Sequence, residues 1–237
     1  MPKSRVDVVS SFEELFSEAH LLEAFNTRHS DAMSRGLDRR NGPAFALVAE
    51  SEITIISRKC LEGSYRFTPY LESLKVKDRA SSPRLISIPS IRDRIVLTQL
   101  NKLLRAVFPE ASKTYFASEF VRDIAEHLRG VPVASTWTAG TDIRKFYDSI
   151  NRERLQKLVA RGLRHPPAAT LVTRAIATPT VPGTYRRSNV TKFRLSSGVP
   201  QGLAISNALA ALYLHEVDTA MGKMPVRYFR FVDDVLA

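Results

Sequence analysis

Apolar residues recur at helical spacing from the first stretch of the chain. Phe12, Leu15, Phe16, Ala19, Leu22 and Phe25 fall on one face, and Ser11-Phe12-Glu13-Glu14 has the spacing of a capping box. The pattern predicts a single amphipathic helix over about residues 11–28. A polar loop from Asp31 to Pro43, carrying Arg35, Arg39 and Arg40, separates it from a second helical pattern over 45–61. Gly63 to Pro69 opens an extended segment, and Lys75 to Arg79 reads as a charged turn. The alternation of Arg84-Leu85-Ile86-Ser87-Ile88, between Pro83 and Pro89, then predicts a strand. Ser90 is placed to cap a helix whose stripe of Ile91, Ile95, Val96, Leu100, Leu103, Leu104 and Val107 turns inward. On that reading Arg92, Asp93, Arg94 and Lys102 face water. A further helix is expected from about Ser118 to Arg129, closed by Gly130, and the lone tryptophan, Trp137, is expected in the core.

The second half alternates short β-prone runs with helices. One run ends in Asp142, turns through Arg144 and Lys145 into Phe146 and Tyr147, and gives way to a helix that Asn151 caps and that runs to about Leu163. Another helix is predicted over 166–178, followed by a basic loop at Tyr185-Arg186-Arg187 and a strand from Val190 to Leu195. Gly198 and Gly202 flank Val199-Pro200-Gln201, which permits a close backbone approach to a ligand. A small-residue helix from Ala208 to Ala220 follows, with His215 read as a surface or packing residue. Last, Arg227-Tyr228-Phe229-Arg230-Phe231 leads into Asp233-Asp234 and Val235-Leu236, which predicts a β-hairpin with both aspartates at its tip.

Composition narrows the classes. The chain has 237 residues, enough for one or two domains, and 44% of them are hydrophobic, which suits a globular protein. No apolar run approaches the ~20 residues of a membrane span. The opening residues lack the apolar core of a secretory signal. Cys60, the single cysteine, leaves no intramolecular disulfide, so a reducing cytoplasm is the expected location. Thirty-five Lys and Arg against 24 Asp and Glu leave a net charge of +11, which points to a polyanionic partner.

Two carboxylates at a turn repel unless a cation or basic group neutralises them. Asp142, at the end of a strand lying beside the Asp233 hairpin, would complete a cluster of hard oxygen ligands. Such a cluster suits Mg²⁺, which keeps waters and accepts substrate phosphates. Two such ions could activate a 3′-hydroxyl and stabilise a leaving pyrophosphate. Nothing resembles a softer metal site, since Cys60 has no partner and the five histidines are scattered. Basic residues on both sides of the hairpin before Ser90 could clamp a triphosphate, although Lys and Arg also guard ordinary edge strands.

Asp142 with its aromatic tail, Gly198-Val199-Pro200-Gln201-Gly202, and Phe231-Val232-Asp233-Asp234 stand in the order and rough spacing of the palm motifs of reverse transcriptases. Arg84-Leu85-Ile86-Ser87-Ile88-Pro89-Ser90-Ile91-Arg92-Asp93-Arg94-Ile95 resembles the fingers segment of bacterial reverse transcriptases of the group II intron type. Gly63 to Pro69 is similar to the segment that precedes it there. The resemblance covers the chain from about residue 31 to its end. It implies an α+β fold of right-hand polymerase fingers and palm, with an antiparallel palm sheet backed by helices. Residues 1–95 would be fingers and 96–237 palm, interrupted by a return to the fingers at roughly 151–190. The palm would be incomplete at its C-terminus and the thumb absent, so the 237 residues are expected to belong to a longer polypeptide or to an assembly that completes the palm.

The resemblance also implies roles. Asp142 and Asp233 would hold two Mg²⁺ ions, with Asp234 adjacent and Ile143 in the same metal set. Tyr147 would lie under the sugar 2′ position and exclude a ribose hydroxyl, which selects deoxynucleotides. Gln201 would line the nucleotide pocket, Arg84 with Lys75 and Lys77 would hold the triphosphate, and the backbone from Ile143 to Phe146 would lie beside it. The implied partners are an RNA template, a DNA primer or product and dNTPs, with no membrane; a noncoding RNA or partner subunit is a further expectation.

Departures bear on the subtype. Lys113-Thr114-Tyr115-Phe116-Ala117-Ser118 only partly matches the segment that group II intron enzymes carry, and the Asn-Ala-x-x-His signature of retron enzymes is missing. That favours the bacterial reverse transcriptases linked to phage defence and abortive infection, ahead of an intron or retron enzyme. Template-independent or protein-primed synthesis stays open. Two other classes compete. Tyr147 and the Pro-Gln-Gly core argue against an RNA-dependent RNA polymerase, and three retained carboxylates argue against a catalytically silent RNA-binding scaffold.

Overall fold

The structure, a computed structural model, describes residues 6–76, 83–109, 117–132 and 137–237. Its first departure from the sequence pattern comes at once. Two helices, α1 (Val8–Leu15) and α2 (Glu18–Arg28), replace the single one predicted over 11–28. Asp7 caps α1, and the Ser17 side chain accepts from His20 N to cap α2. Serine competes for backbone N–H groups inside a helix, so the chain turns there and restarts. Of the expected face Phe12, Phe16 and Phe25 are buried, but the break turns the second helix so that Leu21 and Ala24 are buried while Ala19 is exposed. The 45–61 pattern is likewise split, into α3 (Gly42–Ala46), capped by Asn41, and α4 (Ala49–Leu61).

Strands β1 (Tyr70–Lys75) and β2 (Arg84–Ile88) pair antiparallel, from Leu71 opposite Ile88 to Lys75 opposite Arg84. Helix α5 (Ile91–Val107) follows, capped by Ser90, and is the spine of the core. Ile91, Ile95, Val96, Leu97, Leu100, Leu103 and Leu104 are at most 1% exposed. Asp93, expected to face water, is fully buried. The reason is a set of donors that periodicity does not reveal. Its Oδ1 accepts from the Tyr65 hydroxyl at 2.7 Å, and its Oδ2 accepts from Ser90 Oγ at 2.8 Å and Thr68 N at 3.2 Å. Burial nonetheless pushes its pKa up to about 6.

Helix α6 (Ala117–Leu128) buries no residue, whereas α8 (Arg152–Leu163), capped by Asn151, and α9 (Pro166–Ala177) pack on each other and add Leu155, Val159, Leu171 and Ile176 to the core. The first sheet gains a third strand, β4 (Thr180–Val181), which pairs parallel to β1. A second sheet, of order β3-β6-β5 and wholly antiparallel, joins β3 (Gly140–Asp142), β5 (Phe229–Phe231) and β6 (Asp234–Leu236). Between them run the short α7 (Phe146–Ser149) and the long α10 (Ser206–Met221), which packs on α5 and α8.

Two further expectations fail. The strand predicted over 190–195 is instead a 3₁₀ stretch, Arg187–Phe193, with no buried residue; a polar segment with no apolar face to bury has nothing to hold it in a sheet. Trp137 is 95% exposed, because it precedes the outer strand β3, whose three residues are themselves exposed. Among the described residues no helix is long and apolar enough to cross a membrane.

Candidate active site

The hairpin of β5 and β6 turns through two residues, Val232 and Asp233, with Phe231 and Asp234 as the closing pair. Val232 takes φ +58°. A β-branched side chain is strained there, where glycine is the usual occupant, and such strain persists only if neighbours enforce it. Arg230 supplies the enforcement. Its Nη1 donates to Val232 O at 2.9 Å, while Nε and Nη2 form a two-pronged ion pair with Asp218 of α10. The Tyr228 hydroxyl adds a bond of 2.9 Å to Asp218 Oδ1. Helix α10 thus holds the turn from one side.

Strand β3 holds it from the other. Asp142 lies directly opposite Asp234, and Ile143 N donates to Asp233 O at 3.1 Å. Asp142, Asp233 and Asp234 therefore share one corner of the sheet. Burial raises the Asp233 pKa, and the negative charges of Asp142 and Asp234 raise it further, while Arg84 opposes them. Arg84 belongs to the other sheet, so its charge reaches the same corner from β2. Among the described residues no three Asp, Glu, His or Cys side chains close around one point. The carboxylates form an open set whose mutual repulsion a divalent cation would relieve. A few hard oxygens with room for waters and phosphate oxygens fit Mg²⁺.

Next to the corner, α7 turns Phe146 into the core and leaves Tyr147 half-buried. The Tyr147 hydroxyl donates to Asn207 Oδ1 at 2.7 Å. Burial raises its pKa, and the nearby Asp233 carboxylate raises it further. The glycine-flanked loop secures this segment. Gly198 N bonds Ile150 O and Val199 N bonds Tyr147 O, each at 2.8 Å. Gly198 takes φ +80°, and a Cβ there would lie 2.9 Å from Asp148 Cα, so only glycine fits. At the loop's far end Gly202 (φ +98°) would press a Cβ to 2.8 Å from Ile86 Cγ2, and Ser87 N donates to Gln201 O at 2.7 Å. The loop thus ties β2, with Arg84, to the stretch that carries Tyr147. Arg152 Nε braces it through Gly198 O at 2.7 Å.

Of the residues singled out by sequence, Asp142, Ile143, Asp233 and Asp234 come together, with Phe146 and Tyr147 on the adjoining α7 and Gln201 in the bridging loop. Lys75 sits opposite Arg84 at the end of the β1–β2 pair. Lys77, and the segment Lys113 to Phe116, lie outside the described residues. Sequence reasoning missed Arg230, Asp218, Asn207 and Arg152. Arg230 carried a signal, as a charge at the centre of the aromatic strand Phe229-Arg230-Phe231. A cavity of about 640 Å³ lies between α6, α10 and β5; it includes Asn207 and His215 in its wall but none of Asp142, Asp233 and Asp234.

The chain is 24% identical over 197 residues to Protein YkfC of Escherichia coli, which covers 79% of this chain and 50% of that protein. It is 26% identical over 162 residues to an uncharacterised 91 kDa protein in the cob intron of Schizosaccharomyces pombe, covering 65% of this chain and 19% of the relative. It is 20% identical over 186 residues to the group II intron-encoded protein LtrA of Lactococcus lactis subsp. cremoris, covering 77% and 30%. The chain thus spans half or less of the length of these relatives. The family described as reverse transcriptase (RNA-dependent DNA polymerase) matches residues 75–237, well over half of the sequence and all of the carboxylate corner, and the chain belongs to that family.

Proposed function

We propose that this chain is the fingers-and-palm portion of an RNA-directed DNA polymerase, a nucleotidyltransferase that adds deoxynucleotides to a 3′-hydroxyl. The observation that carries the reading is the sheet register, which sets Asp142 against Asp234 with Asp233 bonded to Ile143. Asp142 and Asp233 would hold two Mg²⁺ ions, with Asp234 and the Ile143 backbone beside them. When bound, these ions supply the charge that polarises the 3′-hydroxyl and neutralises the triphosphate. Arg84 and Lys75, cross-strand neighbours, would grip the triphosphate, Arg84 through its planar fork of donors. Lys77 would join them. Gln201 and the backbone from Ile143 to Phe146 would line the nucleotide, and the Tyr147 ring would bar a ribose 2′-hydroxyl by bulk.

We assign residues 1–95 to the fingers and 96–237 to the palm, with a return to the fingers at roughly 151–190. The pairing of β4, at Thr180–Val181, with β1 supports that return. The net charge of +11 suits a template–primer duplex held through its phosphates. An intron-linked setting is favoured by the names of two relatives. A role in antiviral defence rests on the departure of Lys113 to Ser118 from the intron pattern, and a cytoplasmic location on the single cysteine.

Primer extension on an RNA template, with dNTPs and Mg²⁺, tests the reading. DNA product from the parent protein, absent for Asp142→Asn and Asp233→Asn, is the expected result. RNA product from NTPs would point to an RNA-dependent RNA polymerase. Nucleic-acid binding with no synthesis under any primer condition would point to a silent scaffold.

A further inference from the structure

A side chain that excludes a substrate by bulk must be stiff, because a ring free to change rotamer opens the space it is meant to fill. Tyr147 is restrained at both ends. Its backbone carbonyl accepts from Val199 N at 2.8 Å, and its ring packs near Phe146, with centroids 5.5 Å apart. Those contacts fix the near end. The far end depends on the hydroxyl, whose hydrogen bond in the structure goes to Asn207 Oδ1 at 2.7 Å. Asn207 is exposed and stands in the first turn of α10, the helix that also anchors the hairpin turn through Asp218. Its position is therefore set by the same element that positions Asp233. The bond spans 60 residues of sequence and joins the segment after Asp142 to the helix after the glycine-flanked loop.

We propose that Asn207 is a positioning residue for sugar selectivity: by accepting the Tyr147 hydroxyl it holds the ring in the orientation that excludes a ribose 2′-hydroxyl. The inference rests on the reading of Tyr147 as the side chain beneath the sugar. Asn207 touches the gate and leaves the reacting atoms to others. Without the bond the ring keeps its bulk but samples other orientations, so discrimination weakens without vanishing. A single neutral hydrogen bond shifts such a balance by roughly two- to tenfold.

The experiment compares dNTP and NTP incorporation efficiencies for the parent protein and for Tyr147→Ala, Tyr147→Phe, Asn207→Ala and the Tyr147→Phe/Asn207→Ala pair, with melting temperatures alongside. Tyr147→Ala removes the bulk and is expected to relax selectivity most. Tyr147→Phe keeps the bulk and removes only the hydroxyl, so it and Asn207→Ala should each relax selectivity by roughly two- to tenfold. Because both break one bond, the double variant should relax it no further than either single change. Tyr147→Phe is nearly isosteric and Asn207 is exposed, so the parent fold is expected in both; if Asn207→Ala melts early, Tyr147→Phe alone carries the test. Parent-like selectivity in Tyr147→Phe and Asn207→Ala, against relaxed selectivity in Tyr147→Ala, overturns the role of Asn207 and leaves the gate standing. Multiplicative effects in the double variant overturn it as well. Unchanged selectivity in Tyr147→Ala sinks the gate, and this inference with it.

Discussion

Asp93 in the helical body and Asp233 at the hairpin tip are both carboxylates whose pKa burial raises. Their surroundings differ in kind. Asp93 is met by donors, from Tyr65, Ser90 and Thr68, and by the charge of Arg92, all of which favour its ionised form. Asp233 is met by Asp142 and Asp234, which oppose ionisation, with Arg84 as counterweight. The packing differs too. Asp93 lies on a helix of seventeen residues with seven apolar side chains at most 1% exposed, whereas the strands around Asp233 are three residues long and hold no fully buried one. A carboxylate ringed by donors ties a fold together. One crowded by like charges weakens the fold locally, and a bound cation would relieve it.

The sharpest way to break this contrast is to neutralise each side. Asp142→Asn or Asp233→Asn should lower DNA synthesis by more than about a hundredfold, since even indirect partners of metal ligands matter on that scale. The melting temperature without metal should hold or rise by a few degrees as repulsion is relieved. Full activity in either variant would end the distinction. Asp93→Ala should do the reverse, stranding the Tyr65 hydroxyl, Ser90 Oγ and Thr68 N at a loss of about 3 kcal/mol in denaturant unfolding. Asp93→Asn keeps one acceptor and should lose about half as much.

A pH series sharpens the comparison further. The Asp93 pKa is raised from an ordinary 3.8 to about 6, so the folded protein holds that proton more tightly than the unfolded chain. Its contribution to stability is fully present below pH 4 and is lost as pH climbs through about 6. Asp93→Asn should flatten that part of the unfolding profile, and an unchanged slope would show that Asp93 is not the titrating group. The smallest effect is expected at Trp137, which is 95% exposed. Trp137→Ala should alter stability by no more than about 0.5 kcal/mol in the same denaturant assay.

Features with local causes were legible before the fold was known. Ser90 and Asn151 cap the helices they were expected to cap, because a capping side chain bonds an N–H only three residues on. The hairpin follows from aromatic alternation and turn chemistry, although its tip is Val232-Asp233 and not the expected Asp233-Asp234, because Asp234 opens β6 as the partner of Phe231; its pairing with the strand ending in Asp142 was anticipated from the resemblance and from charge. Gly198 and Gly202 were expected to let a ligand approach the backbone; both take positive φ, and what approaches them is the chain itself, at Asp148 and at Ile86 with Ser87.

Features with distant causes were not legible. Periodicity assigns a face to apolar residues, and it assigned Asp93 outward because nothing local marks a polar residue for burial. Its Tyr65 partner lies 28 residues away. The ion pair of Arg230 with Asp218 and the bond of Tyr147 to Asn207 form only once α10 packs beside the hairpin. The segment over 190–195 forms a 3₁₀ stretch that buries no residue, and Trp137, with a core residue's chemistry, stands 95% exposed. Spacing along the chain therefore told which elements form and which residues carry chemistry. Packing between elements decided which polar groups meet, because a buried hydrogen bond or ion pair needs both partners delivered to one place.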